Sequence, residues 1–282
     1  MVDVKPEEEK VKSVMSVGLP RFLKKPEFKA VESEVIEGID EGLKGVDVEF
    51  VRDCLEEVGP RMMQVLASVQ AEPIRNALPK ELSIIINDLS ADLPTHMFAV
   101  YARQPSPPSS SSDAPRRRVT LFPIHNIVMA SHCANLPRLS TEKPKTPEKV
   151  GEEVTVPVVP LCIPSPQTFP QLSAYLYTKR SDHLLASLLP CPPPQPFVFS
   201  SSSSSSPSDS PESHDAKLLA YAKKLAGTYT PNALLQHAML INGLWRNVCA
   251  LGVDEERLWC TLDLAWEVVL RAMALATGVE FA

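Results

Sequence analysis

The chain has 282 residues, 44% of them hydrophobic, and a formal net charge of −6. That size holds one ordinary core with appendages, or two small domains. The acidic balance argues against direct nucleic-acid binding, which needs concentrated basic surface to neutralise phosphates. No apolar run approaches the roughly eighteen residues of a membrane span.

From Met1 to Glu9 there is no apolar signal core, so the expected setting is intracellular, nuclear and/or cytoplasmic, with reduced thiols. The six cysteines (Cys54, Cys133, Cys162, Cys191, Cys249, Cys260) are scattered without a C-x-x-C pair, and five of them lie in apolar surroundings, where free Cys reads as a small hydrophobe. Residues 1–45 are charged and broken by Pro6, Pro20 and Pro26. They read as a mobile arm with room for a short helix near Glu32 to Leu43. Residues 46–92 read as a helical region. Asp47 suits an N-cap, and Phe50, Val51, Cys54, Leu55 and Val58 form an apolar stripe. Gly59-Pro60 interrupts it before Met62, Met63, Val65, Leu66 and Val69 resume it, which predicts two short helices with a kink. A further helix is expected over Ile74 to Leu78 or Glu81 to Leu89.

Residues 93–189 read as a strand–helix core. Met97 to Tyr101 is a strand that pairs with Val119 to Phe122, across a Pro/Ser-rich inserted loop (103–117). Past Val119 and Leu121 the spacing turns helical through Ile124, Ile127, Val128, Cys133 and Leu136, with Pro123 suited to the helix start. After a polar loop (137–153), Val154 to Ile163 is broken by Pro157 and Pro160 and suits an edge strand better than a central one. Phe169, Leu172, Tyr175 and Leu176 share one face of the next helix, with Pro170 in its first turn. His183 to Leu189 adds a helical turn or two.

The Pro/Ser run 190–215 holds too little apolar surface to offset the entropy of ordering, and reads as a disordered linker. Residues 216–282 return to helical spacing, with a break near Gly227 to Pro231. One helix is expected to end at Gly252. Asp254 is expected to cap the last one, whose buried stripe is Leu258, Leu262, Trp266, Val269 and Met273. The fold class expected is α+β: a strand–helix core flanked by helices at both ends, with disordered Ser/Pro-rich inserts.

The sequence offers little for catalysis. It has 10 glycines and none of the phosphate-loop or nucleophile-elbow motifs. His125 and Cys133 stand eight apart on one helix, too far for nucleophile–base contact at about 1.5 Å per residue. His132 and Cys133 are adjacent and face different ways. No second ligand stands at metal spacing. The reading is a non-enzymatic protein with no cofactor and no metal. Two rivals remain: a small hydrolase using Cys133 or Cys162, and a transcription cofactor contacting DNA or DNA-bound partners through Arg116 to Arg118. A solvated strand approach is the ordinary reading of that basic run. Thr146-Pro147-Glu148-Lys149 fits the short consensus of cyclin-dependent kinases, which makes Thr146 a candidate phosphorylation site; Ser106, Ser206 and Ser210 also precede proline.

Phe122, His125, Val128, Met129, Ala130 and Cys133, then Phe169, Leu172, Tyr175, Leu176, Tyr177 and Thr178, resemble the strand–helix signature and later helix of the BTB/POZ domain. Lys179 stands where that family often has Gly. The wording of Leu121 to His125, His132 to Pro137, Pro157 to Leu161 and Tyr175 to Arg180 resembles the clampless proteins of basidiomycete fungi. The first resemblance implies a BTB/POZ-like core with a dimer surface, hence a candidate homodimer, and a groove for partner peptides. His125 is then a structural residue at the strand–helix junction. The second implies a regulatory adaptor in sexual development, needed for clamp formation and cell-cycle progression after mating, with transcription or cell-cycle regulators as protein partners.

Overall fold

The computed structural model describes residues 18–72, 77–103, 118–142, 144–194 and 211–278. The loop over 104–117, most of the Pro/Ser linker, Arg116, Arg117 and Ser106, Ser206 and Ser210 lie outside the described residues.

Five strands form one mixed sheet: β1 (Val69–Ala71), β2 (Glu81–Ile86), β3 (His96–Tyr101), β4 (Thr120–Ile124) and β5 (Glu153–Cys162), in the order β1-β2-β5-β3-β4. β3 and β4 pair antiparallel, Met97 opposite Pro123 and Val100 opposite Thr120, as the alternation predicts. Side chains alternate across β3: Phe98 and Val100 enter the large helical core, whereas Met97 and Ala99 join Val65, Ile84, Ile86, Val154 and Val156 on the other face. Glu81–Ile86 is a strand and not a helix. Its successive isoleucines suit a pleated, half-buried surface, and their burial follows the two-residue period. Ile74 to Leu78 lies partly outside the described residues.

β5 lies in the middle of the order, where an edge position is expected from its prolines. The register explains the difference. Glu153 to Pro157 pair antiparallel with β2, while Val158 to Cys162 pair parallel with β3. Apart from the crossover, where the Val158 amide reaches the Lys80 carbonyl at 2.8 Å, each half pairs with a neighbour on one side, which tolerates Pro157 and Pro160.

The helices differ from expectation at several boundaries. α2 (Val48–Ala67) runs unbroken through Pro60, capped by Asp47, which accepts from the Glu49 amide. Gly59 lies against the Tyr177 backbone, so this stretch is pinned from outside and continues across the proline. α3 (Asn126–His132) starts after Pro123 and Ile124, which belong to β4. The Ile124 carbonyl is held by the Thr95 amide at 2.9 Å, which keeps the chain extended up to His125. Cys133 caps the end of α3, leaving Leu136 beyond it.

α4 (Phe169–Thr178) and α5 (Ser181–Leu188) lead to three long helices, α6 (Pro211–Thr228), α7 (Pro231–Leu251) and α8 (Glu256–Thr277). Gly252 closes α7 in the left-handed region at φ 68°, as expected. The N-cap of α8 is Glu255, not Asp254. The Asp254 carboxylate instead pairs with Lys25 at 2.8 Å.

That pair belongs to a wider correction. The described part of the supposed arm is packed, its first stretch onto the C-terminal helices and Ser33–Ile39 onto α3. The Trp266 and Trp245 indole N–H groups donate to the carbonyls of Pro20 and Lys24, at 3.2 and 3.1 Å. The Phe28 ring sits 5.7 Å from that of Trp259. Leu23 is buried, as is Ile36 in α1 (Ser33–Ile39). A few apolar anchors and two indole donors in need of acceptors hold a segment that reads as charged and irregular.

Candidate docking groove

The residues that carry the BTB/POZ resemblance come together as scaffold. The Phe169 ring packs 5.0 Å from Phe122 and 6.2 Å from Phe98, joining the start of α4 to the sheet. Val128, Met129, Ala130 and Cys133 are buried along or just after α3, and Leu172, Tyr175 and Leu176 along α4. Thr178 is half-buried and returns its hydroxyl to the Ala174 carbonyl at 2.8 Å.

His125 ties three segments together. Its backbone N–H donates to the Tyr177 hydroxyl oxygen at 2.8 Å, and that hydroxyl lies 3.0 Å from Nδ1. Nε2 lies 2.9 Å from the Asp92 carbonyl oxygen. One tautomer satisfies every group: Nε2–H donates to Asp92 and Nδ1 accepts from Tyr177. Burial lowers the imidazole pKa, which favours this neutral form, and burial raises that of the Tyr177 phenol.

A second polar cluster lies where α3, α4 and α8 meet. Lys179 adopts the left-handed backbone at φ 53° and aims its ammonium at the Glu255 carboxylate, with His132 Nδ1 3.3 Å away. The Tyr175 hydroxyl donates to the same carboxylate at 2.7 Å. Burial lowers the Lys179 pKa despite this pairing, and burial with the neighbouring Lys179 and Arg52 charges holds His132 well below the ordinary histidine value. Next to it, burial pushes the Cys133 thiol up to about 12. Cys162 is exposed at the end of β5. Among the described residues no three His, Cys, Asp or Glu side chains gather as a metal site requires. No described helix is long and apolar enough to cross a membrane.

The open feature of this surface is a groove of about 620 Å³ between α2 and the turn before β3. Phe50, Cys54, Val58 and Met62 line one wall, Leu89 and Leu93 the other, and Ile127 the floor beside His125. Phe50 is 62% exposed and Val58 46%. Asp40 and Asp92 stand in the lining, while Asp53 and Glu57 flank the stripe on the exposed side of α2. Pro144 and Thr146 reach the groove from the loop between α3 and β5. In the sequence this side of α2 is one apolar stripe, with Met62 and Met63 adaptable enough for a partner surface but more often core. Its breadth is the available signal: Phe50, Cys54 and Val58 form an outer row that stays exposed, while Val51 and Met62, which also line the groove, are buried and Leu55 is half-buried.

Two family models match the chain: the Clampless protein 1 N-terminal domain over residues 26–164, and the Clampless protein 1 C-terminal domain over residues 182–282. The chain belongs to the clampless family. No curated protein and no solved structure was found to match it. The N-terminal clampless region carries the whole sheet, α1 to α3 and the groove, and the C-terminal region carries most of α5 and all of α6 to α8. α4 and Lys179 fall between the two and bridge them, Tyr177 reaching back to His125 and Lys179 and Tyr175 forward to Glu255, while the two regions also touch directly where the Asn135 amide donates to the Leu251 carbonyl at 3.0 Å.

Proposed function

We propose that this clampless protein is a non-enzymatic adaptor of fungal sexual development, acting in clamp formation and cell-cycle progression after mating by docking a regulator of transcription or of the cell cycle. The observation that carries this is the groove along α2, where Phe50 and Val58 stand largely exposed beside an apolar floor. Scattered exposed hydrophobes are ordinary, but a lined apolar concavity is what partner helices use. Its acidic edge selects the occupant: an amphipathic segment of a partner protein, with apolar side chains for the floor and basic residues facing Asp53, Glu57 and Asp92.

A BTB/POZ-like core is part of the proposal. In its favour are the β3–β4 hairpin, the short α3, the parallel pairing of β5 with β3, and α4 packed behind them. The buried, high-pKa Cys133 and the fully engaged His125 ring favour binding over hydrolysis.

The test is a strain lacking its own copy and supplied with Phe50→Asp/Val58→Asp. Clamp formation is expected to fail with the protein folded and at normal abundance. A paired Met239→Asp substitution, at an exposed position on α7, should form clamps normally. Normal clamps in the groove variant would overturn the reading.

A further inference from the structure

We propose that Thr146 is a phosphorylation site for a proline-directed kinase, and that the phosphate sets the charge of the α2 groove, strengthening the docking of a basic segment. Sequence and geometry meet at this residue. Pro147 follows the hydroxyl and Lys149 stands three residues on, the two features that such kinases read. The residue is exposed and lies outside any helix or strand, so it can enter a kinase cleft in extended form. It also lines the groove, with Pro144, as do Phe50 and Cys54.

The loop that carries it is anchored close by. The Glu148 amide donates to the Glu152 carboxylate at 2.8 Å, and the Gly151 amide donates to the Ile86 carbonyl at 3.1 Å. Gly151 takes φ 88°, a turn that holds the loop against β2. A group added at Thr146 is therefore delivered to the groove. In the transfer, the Thr146 oxygen attacks the γ-phosphorus of ATP, the bond to the β,γ-bridging oxygen breaks, ADP leaves, and the hydroxyl proton passes to the kinase base. The product carries about −1.5 to −2 charge. Asp40 and Asp92 already make the lining acidic, so the phosphate deepens one sign of potential there.

The consequence for docking rests on the adaptor reading above; the modification and its effect on the groove do not. Both are read on the purified full chain without any partner. The chain is treated with a proline-directed kinase and ATP, and phosphate is located by peptide mass spectrometry. Cys54, exposed in the groove, is then the reporter. Its alkylation rates with anionic iodoacetate and neutral iodoacetamide are compared. Both reagents need the thiolate, so the ratio isolates the local potential. Phosphate on Thr146 is expected to lower the iodoacetate-to-iodoacetamide ratio about twofold, the scale of a screened charge interaction within a Debye length. Thr146→Ala treated identically should show no change. An unmodified Thr146 beside phosphorylated Ser-Pro sites in the same chain, or an unchanged ratio on fully modified Thr146, would overturn the proposal. Failure of the Phe50→Asp/Val58→Asp test would instead remove the docking reading and leave this result standing.

Discussion

Lys179 places its ammonium on the carboxylate of Glu255, from the residue that follows α4 to the residue that caps α8. The pair is lopsided: the Lys179 side chain is 5% exposed and that of Glu255 20%. Desolvation outweighs the attraction at the lysine, whose pKa is lowered overall. Losing the carboxylate therefore strands a buried ammonium, whereas losing the ammonium leaves a partly hydrated carboxylate still bonded to Tyr175. Glu255→Ala is expected to cost about 3 kcal/mol and Lys179→Met about 1 kcal/mol. The double substitution should recover most of the larger loss. Urea unfolding of the four proteins checks the cycle, and equal losses in the two single variants would contradict it.

Gly59 offers a test of helix packing against helix propensity. Alanine is the better helix former by about 1 kcal/mol. Yet a Cβ at this position would lie 2.1 Å from the Tyr177 carbonyl oxygen and 3.0 Å from its carbon. Backbone cannot rotate aside as a side chain can, so α2 or α4 must shift. Gly59→Ala is expected to destabilise by about 2–3 kcal/mol. At Gly243 the nearest atom is the Ser165 hydroxyl, at 2.4 Å, so Gly243→Ala should be the milder of the two. Denaturation midpoints of the two variants decide the ranking.

These contacts also show how far the sequence could be read. The β3–β4 hairpin, the buried face of α4 and the Gly252 cap follow from spacing and turn chemistry, which act within a few residues. Gly59-Pro60 read as a break because its local meaning is a break. Only Tyr177, more than a hundred positions later, meets the helix at that point, where it runs on unbroken. β5 failed in the same way: its prolines describe one-sided pairing correctly, but nothing local says that each half has its partner on a different side. Lys179 stood out as the residue replacing an expected glycine, and its left-handed backbone accounts for that expectation. Its partner, Glu255, stands beside Asp254 and Glu256, a charged setting whose ordinary meaning is solvated surface. The groove was missed because an apolar row facing solvent and one facing core have the same period.

Acid should loosen the protein through its buried imidazoles. His96, His125 and His132 all have pKa values lowered by burial, His96 to about 4. The unfolded chain therefore binds more protons than the folded one between the ordinary value of about 6.5 and these lowered values. Stability is complete above about 6.5, declines as the pH falls below it, and for His96 the loss is finished near 4. His96 Nε2 is buried with no hydrogen-bond partner among the described residues, so His96→Leu removes a proton-binding group without breaking a described pair at that atom. The variant should lose part of the slope between pH 6.5 and 4 and keep most of its stability at pH 7.5. Unfolding free energies across that range measure it; an unchanged slope would assign the acid sensitivity elsewhere.

The hydroxyl of Tyr177 is the most exacting single group in the scaffold. Removing it in Tyr177→Phe keeps the ring, its packing and the 5.6 Å edge contact with the His125 imidazole. What goes is the acceptor for the His125 amide and the donor to Nδ1, both buried. Two polar groups left unsatisfied in a dry site should cost about 2–3 kcal/mol, more than an exposed hydrogen bond of the same length. The damage has a direction as well. With Nδ1 unpaired, the Nε2–H bond to the Asp92 carbonyl still sets the tautomer, but the ring has lost one of its two anchors and holds Asp92 less firmly. Asp92 belongs to the groove lining, so hydrogen exchange should quicken at Leu89 to Leu93 and at the start of α3, while α7 and α8 keep their protection. Uniform quickening over the whole chain would mean that the hydroxyl supports global stability alone and does not hold the groove wall.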